Sequence, residues 1–242
     1  MKPYYQKDGV TIYHGDCRDI LPSLSGDIIS DVPYGIGLKF GGVGCKTADK
    51  NNPVLGDEIP FDPSHLLGFN KIVLWGANHY SSKLPDTNGW LVWDKSTRPA
   101  VSVFSEAELA WTNCLERVYV YRHLWSGAYR QSEQGYHVHP TQKPVSLMRW
   151  VIDLVKPELI IDPYMGSGST IQAAKDFGIP AIGIELEEKY CRVAVKRLAQ
   201  PSLFTLPNNR LHLTGGGLPA TQSSFTAEVI PPAKLPAKSP RR

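Results

Sequence analysis

Two short segments of the chain concentrate residues able to do chemistry. In Asp27-Ile-Ile-Ser-Asp-Val-Pro-Tyr34 an apolar run ends on a carboxylate, a proline and an aromatic ring. Ligands of open α/β sheets bind at the carboxyl ends of strands, so Asp31 and Tyr34 would project where a reaction occurs. Taken singly, the same ending also suits an ordinary turn. The second segment, Leu159-Ile-Ile-Asp-Pro-Tyr-Met-Gly-Ser-Gly-Ser-Thr170, reads as a buried strand, a glycine turn and a helix starting near Ser169. Its glycines let a ligand approach the backbone, and a helix start offers unpaired N–H groups to an anion. No lysine follows Gly168 and no GxGxxG is present, which excludes a Walker A loop and the dinucleotide fingerprint. One crossover later, Ala181-Ile-Gly-Ile-Glu185 ends in an acid. That placement suits a carboxylate accepting hydrogen bonds from ribose hydroxyls, the alternative being a cap for the following helix.

Such groups need a sheet to hold them. Short apolar runs predict strands over Val10–His14, Asp27–Asp31, Lys71–Trp75, Trp90–Trp93, Glu108–Trp111, Val118–Tyr121, Leu159–Asp162 and Ala181–Glu185. Helical patterns predict helices over Val145–Val155, Ser169–Phe177 and Glu187–Leu198, the last with Tyr190, Val193 and Leu198 on an apolar face and Lys189, Arg192, Lys196 and Arg197 on a polar one. Strands alternating with helices define an α/β, doubly wound, mostly parallel sheet. The stretch from Gly35 to Pro60 holds five glycines before Cys45 and several lysines without periodicity, and reads as a loop directly after a strand end. Residues 201–242, rich in Pro, Thr, Ser and Gly, read as a disordered tail on a domain of residues 1–200.

Composition bounds the class of protein. The 242 residues are 42% hydrophobic and 20% charged, the profile of a globular chain. No apolar run approaches the roughly 20 residues that span a bilayer, and the first residues lack a signal peptide's apolar stretch, so an intracellular, cytoplasmic protein is expected. Four scattered cysteines with no CxxC pair read as reduced thiols, and His137 and His139 lack a third ligand, so no metal site is expected. The net charge of +3 sits in the tail: residues 201–242 carry +4, leaving −1 for residues 1–200. A polyanion site on the folded part must therefore be a local patch.

Asp31-Val-Pro-Tyr34 resembles the (D/N/S)PP(Y/F) motif of amino-group DNA methyltransferases, and Asp162-Pro-Tyr-Met-Gly-Ser-Gly168 resembles their DPFxGxG S-adenosylmethionine motif. His139-Pro-Thr-Gln-Lys-Pro144 is similar to a third element of that family, and the catalytic-before-cofactor order is similar to its β class, in a compact, phage-like or orphan form. The resemblance spans nearly all of residues 8–200. It implies a Rossmann-like S-adenosylmethionine-dependent methyltransferase fold with permuted motif order. It further implies that Asp162, Pro163, Tyr164, Gly166, Ser167 and Gly168 cradle the methionine part of S-adenosylmethionine, Glu185 the ribose, and Thr141, Gln142 and Lys143 the amino-acid end. Asp16 and Cys17, after the first strand, resemble the adenine-contacting segment, or else form an ordinary turn. Asp31, Val32, Pro33 and Tyr34 would form the catalytic turn, with Val32 standing where the family has proline. Valine still has a carbonyl to offer the target amine, but without the ring the turn is less restricted.

The implied reaction is methylation of an exocyclic amine, adenine N6 being favoured by Asp at the first motif position and cytosine N4 remaining the rival. Cytosine C5 chemistry needs a nucleophilic thiol, usually after proline, and no cysteine here follows one. A catalytically weakened DNA-binding module that keeps the cofactor is the other-class alternative, motivated by Val32. Double-stranded DNA is the expected partner, with the target base flipped out and Tyr34 stacked on it; a homodimer is left open. For DNA contact the residues are Lys39 in the glycine-rich loop and, in a target-recognition insert over residues 116–139, Arg117, Arg122, Trp125 and Arg130, interleaved with Tyr119, Tyr121, Tyr129 and Tyr136.

Overall fold

The computed structural model describes residues 2–37, 56–95, 105–126, 129–133 and 142–200. Lys39 and most of the glycine-rich loop, Thr141, Tyr136 and the tail of residues 201–242 lie outside the described residues.

In chain order the strands are β1 (Tyr5–Lys7), β2 (Val10–His14), β3 (Asp27–Asp31), β4 (Ile72–Trp75), β5 (Trp90–Asp94), β6 (Ala107–Thr112), β7 (Val118–Arg122), β8 (Trp125–Ser126), β9 (Tyr129–Arg130), β10 (Ile160–Asp162) and β11 (Ala181–Glu185). The helices are α1 (Cys17–Ile20), α2 (Val145–Val155), α3 (Ser169–Asp176) and α4 (Glu188–Leu198). Nine strands form one sheet in the order β1-β2-β11-β10-β3-β4-β6-β5-β7, and β8 and β9 form a separate hairpin. β2, β11, β10, β3 and β4 are mutually parallel, which makes the sheet the doubly wound α/β type.

The strands alternate between two cores, as a two-residue side-chain period requires. Ile29, Val73 and Trp75 pack with α2, α3 and α4 on one face. Ile28, Ile72 and Leu74 pack with Cys17, Ile20 and Leu66 on the other. Helix α2 forms because Leu147, Met148, Val151, Ile152 and Val155 recur along one stripe, after a proline that fixes its entry.

All eight expected strands are present. Three features of the fold escape the sequence pattern. The edge strand β1 and the inserted β6 run antiparallel to their neighbours. The four-residue helix α1 is too short to show a period. In α4 the buried face is Cys191, Ala194, Arg197 and Leu198, so Arg197, placed on the polar face by periodicity, is an interior residue. Its side chain finds partners inside that repay its desolvation.

The order of winding fixes where a ligand can sit. From the adjacent strands β10 and β3 the chain proceeds outward in opposite directions, through α3 to β11 and onward to β4. The carboxyl ends of β10 and β3 therefore flank the crevice of a topological switch point. Asp162 ends one of these strands and Asp31 the other.

Candidate active site

Two turns meet at that crevice. Ser30 on β3 donates to Asp162 Oδ1 at 2.7 Å, and the Tyr164 backbone N–H donates to the same oxygen at 3.3 Å. Burial pushes the Asp162 carboxyl up to about 7, against the lowering effect of Ser30, Thr170 and the Tyr164 N–H. An acid whose folded pKa lies above its unfolded value near 3.9 gives stability that is complete below about pH 4 and lost as pH rises through about 7. Asp162→Asn keeps the shape and removes the titration. Urea unfolding of the variant, compared with the native protein, should show a stability difference moving in the variant's favour by roughly 1 kcal/mol per pH unit from about pH 4 to about pH 7. Parallel stability curves would mean that Asp162 stays ionised throughout.

The 162–168 turn is held from three sides. The Gly166 N–H donates to Glu185 Oε2 at 2.9 Å, and Glu185 Oε1 accepts from the Glu187 N–H at 2.7 Å. Glu185 thus ties the turn to the end of β11 and holds the residue at the N-cap position of α4, Glu187, through its backbone N–H. Burial raises the Glu185 carboxyl, with these backbone donors pulling the other way. Gly168 caps α3 with φ of 80°, a backbone conformation that a side chain would strain. From below, the buried Arg197 donates to the Ser167 carbonyl at 3.3 Å, to Ser169 Oγ at 3.1 Å and to Glu133 Oε2 at 2.5 Å. Glu133 in turn accepts from Gln142 Nε2 and from the Val145 N–H, both at 2.7 Å, and so fixes the start of α2.

Beside Glu185, at the end of the neighbouring strand β2, the Gly15 N–H donates to the Glu185 carbonyl at 3.0 Å. Asp16 caps α1 by accepting from the Arg18 N–H at 2.9 Å, and Cys17 is buried. The Tyr164 hydroxyl lies 2.9 Å from His65 Nε2, and the Cys17 thiol also interacts with it. Asp16, Cys17, the 162–168 turn and Glu185 therefore line one strip along the strand ends. That strip carries Glu185 and Asp16 carboxylate oxygens with lone pairs left to accept further hydrogen bonds, beside a glycine-containing backbone turn.

At the end of β3 the turn Asp31-Val-Pro-Tyr34 is clamped by a residue the sequence reading did not select. One Asp57 oxygen accepts the backbone N–H groups of Tyr34 at 3.0 Å, Gly35 at 2.8 Å and Ile36 at 3.4 Å. Val32 is buried in the core, at 3% exposure. The Tyr34 ring lies against Gly76, whose missing side chain makes room, since a Cβ there would come within 2.0 Å of the ring. It stacks on His79 with centroids 5.1 Å apart.

The Asp31 carboxylate belongs to a polar knot with Lys143, Tyr34, Glu108 and Lys95. Lys143 Nζ donates to Asp31 Oδ1 at 2.6 Å and lies 3.0 Å from Glu108 Oε2. The Tyr34 hydroxyl is 2.9 Å from Asp31 Oδ1 and 3.0 Å from Glu108 Oε2, and accepts from Lys143 at 2.9 Å. Lys95 pairs with Glu108 Oε1 at 2.9 Å. Burial raises Asp31, with Lys143 opposing and Glu108 assisting. Burial works to raise Glu108 as well, but Lys143 and Lys95 outweigh it and hold the carboxyl at about 2. Lys143, assigned from the sequence to the cofactor's amino-acid end, here contacts the catalytic turn.

Among the DNA-contact residues, Arg117 and Arg122 are exposed, and Arg122 pairs with Asp94 at 3.5 Å. Trp125 and Arg130 do not have the exposed placement expected of them. Arg130 is 9% exposed and lies over the Trp125 ring at 4.0 Å, while Trp125 meets Trp93 edge-on at 6.5 Å. The β8–β9 hairpin folds both inward, where cation–π stacking offsets the cost of burying the guanidinium.

Glu108, Glu133, Asp57 and Arg197 were not foreseen as site residues. Glu108 left one trace in the sequence, being an acid inside an apolar run read as a strand, a costly position if buried unless the charge is paired.

A doubly wound sheet with a glycine turn, an acid at the next strand end and a paired carboxylate at the switch point is the arrangement that the resemblance to S-adenosylmethionine-dependent methyltransferases implies. The chain belongs to the DNA methylase family, which it matches over residues 73–196, just over half its length. It is 26% identical to the type II methyltransferase M.ScaI of Streptomyces caespitosus, over 81% of this chain and 84% of that protein. It is 27% identical to the type II methyltransferase M2.LlaDCHI of Lactococcus lactis subsp. cremoris, over 85% of this chain and 95% of that one. Of solved structures, the cytosine-N4-specific PvuII DNA methyltransferase shares the fold with a TM-score of 0.55 at 14% identity, over 84% of this chain and 91% of that chain. The M1.HpyAVI–SAM complex shares it with a TM-score of 0.50 at 22% identity, over 79% and 100%. The protein is thus a DNA methyltransferase that uses S-adenosylmethionine, of the N6-adenine or N4-cytosine kind.

Proposed function

We propose that the enzyme methylates adenine N6 in double-stranded DNA, on a base flipped out of the helix. The reading is supported by Asp31, which ends β3 with Oδ1 engaged by Lys143 and Tyr34 and, among the described residues, Oδ2 without a partner. An exocyclic amine conjugated with its ring is a poor nucleophile. Asp31 Oδ2 and the Val32 carbonyl are the acceptors for its two N–H bonds, and accepting both draws the nitrogen lone pair out of conjugation. Bound S-adenosylmethionine supplies the methyl group on a positively charged sulfur. Asp31 takes the proton that the nitrogen gives up, and the turn clamped by Asp57 holds these acceptors in one geometry before the base arrives.

In this reading Asp16, Cys17, Gln142, the 162–168 turn and Glu185 bind the cofactor. Tyr34 faces the base, with His79 behind it as the stacking platform. The exposed Arg117 and Arg122 provide phosphate contacts. Lys39 and Thr141 keep the roles the family pattern implies.

Incubation of the protein with mixed-sequence duplexes and labelled S-adenosylmethionine, followed by nucleoside analysis, tests the reading. N6-methyladenine should be the product. N4-methylcytosine would transfer the same geometry to the rival base, and no methylated nucleoside at all would leave a module that binds without turnover.

A further inference from the structure

We infer that Glu108 is a positioning residue that sets the basicity of Asp31 by sharing the Lys143 ammonium with it. The inference rests on the reading of Asp31 as the acceptor of the target amine. Glu108 comes from β6, far along the chain from the catalytic turn, and reaches the same two donors as Asp31: Lys143 Nζ at 3.0 Å and the Tyr34 hydroxyl at 3.0 Å. The Lys143 side chain is 5% exposed, so water does little to share its charge.

Methyl transfer forms a C–N bond while the sulfonium C–S bond breaks, and an N–H bond of the amine releases its proton to a base. Asp31 is the carboxylate placed to take it. A lysine bound to Asp31 alone would hold it ionised and make it a weak proton acceptor. Glu108 competes for that lysine and adds a second negative charge nearby, and both effects keep Asp31 basic. Lys95 on the far side of Glu108 keeps Glu108 itself charged, so its influence is present throughout the neutral range. Two carboxylates and two ammonium groups also leave the knot without net charge, which permits its burial.

The other groups facing Asp31 do not supply this effect. Tyr34 and Tyr80 are phenols raised by burial and stay neutral. His79 lies against the Tyr34 ring. Asp162 on β10 contributes a negative charge only once it ionises near 7, with its contacts made to Ser30, Tyr164 and Thr170.

The test compares Glu108→Gln, Glu108→Asp and Asp31→Ala with the native protein, in single-turnover methyl transfer to duplex DNA across about pH 5 to about pH 9. In Glu108→Gln the lysine falls wholly to Asp31. The rate should drop about threefold to tenfold, and its acidic limb should move down by about one pH unit, with S-adenosylmethionine affinity unchanged. Glu108→Asp should restore part of both the rate and the limb. A rate loss in Glu108→Gln with an unmoved limb, or no loss at all, overturns the inference. If Asp31→Ala retains native turnover, the reading of Asp31 itself fails; if Asp31→Ala is inactive and the Glu108 limb does not move, only the role of Glu108 falls.

Discussion

Replacing Asp31 with alanine is expected to cut methyl transfer about a thousandfold or more, while S-adenosylmethionine affinity stays within about twofold of native. On the proposed reading the loss is large because the variant removes both an acceptor that shapes the amine and the base that takes its proton. Cofactor binding survives because, among the described residues, Asp31 hydrogen-bonds Lys143 and Tyr34 and makes no hydrogen bond to the 162–168 turn or Glu185. The fold should also survive. The Lys143 ammonium keeps Glu108 at 3.0 Å and the Tyr34 hydroxyl at 2.9 Å, so no buried charge is left alone. Methyl transfer from labelled S-adenosylmethionine and titration calorimetry on the same preparation separate the two quantities. Turnover within tenfold of native would take Asp31 out of the reaction, and lost cofactor binding would move it to the other half of the crevice.

The second large effect concerns stability. Arg197→Leu should destabilise the protein by about 3 to 5 kcal/mol, lowering the thermal midpoint by roughly 10 °C, and should weaken S-adenosylmethionine binding. Arg197 is 5% exposed and joins three parts of the chain: the Ser167 carbonyl of the cofactor turn, the Ser169 hydroxyl at the start of α3, and Glu133, which holds α2. Leucine fills the space but leaves the Glu133 carboxylate without its cation and the Ser167 carbonyl without this donor. Glu133→Gln made alone and together with Arg197→Leu would isolate their coupling, which should exceed about 1 kcal/mol. A midpoint shift below about 2 °C in Arg197→Leu would show the guanidinium to be dispensable.

Sequence alone determined the elements and the chemistry at their ends. The apolar runs of β2, β3 and β11 and the stripe of α2 report local burial, and their observed bounds match those expected. A carboxylate at the end of β3 and a glycine turn after β10 were legible because both features are local: the residues that make them are adjacent in the chain. Which strands become neighbours is not encoded in such periods. Only the tertiary structure inserted β6 against β4 with opposite direction, carrying Glu108 to a tyrosine 74 residues away and to the lysine that Asp31 also uses. It likewise turned Arg197 inward to a glutamate 64 residues away. In each case a polar or charged group leaves water, and its desolvation is offset only by a partner distant in sequence. Hydrophobic patterning registers such a group as surface. The partner that makes its burial tolerable exists only once the sheet order is set.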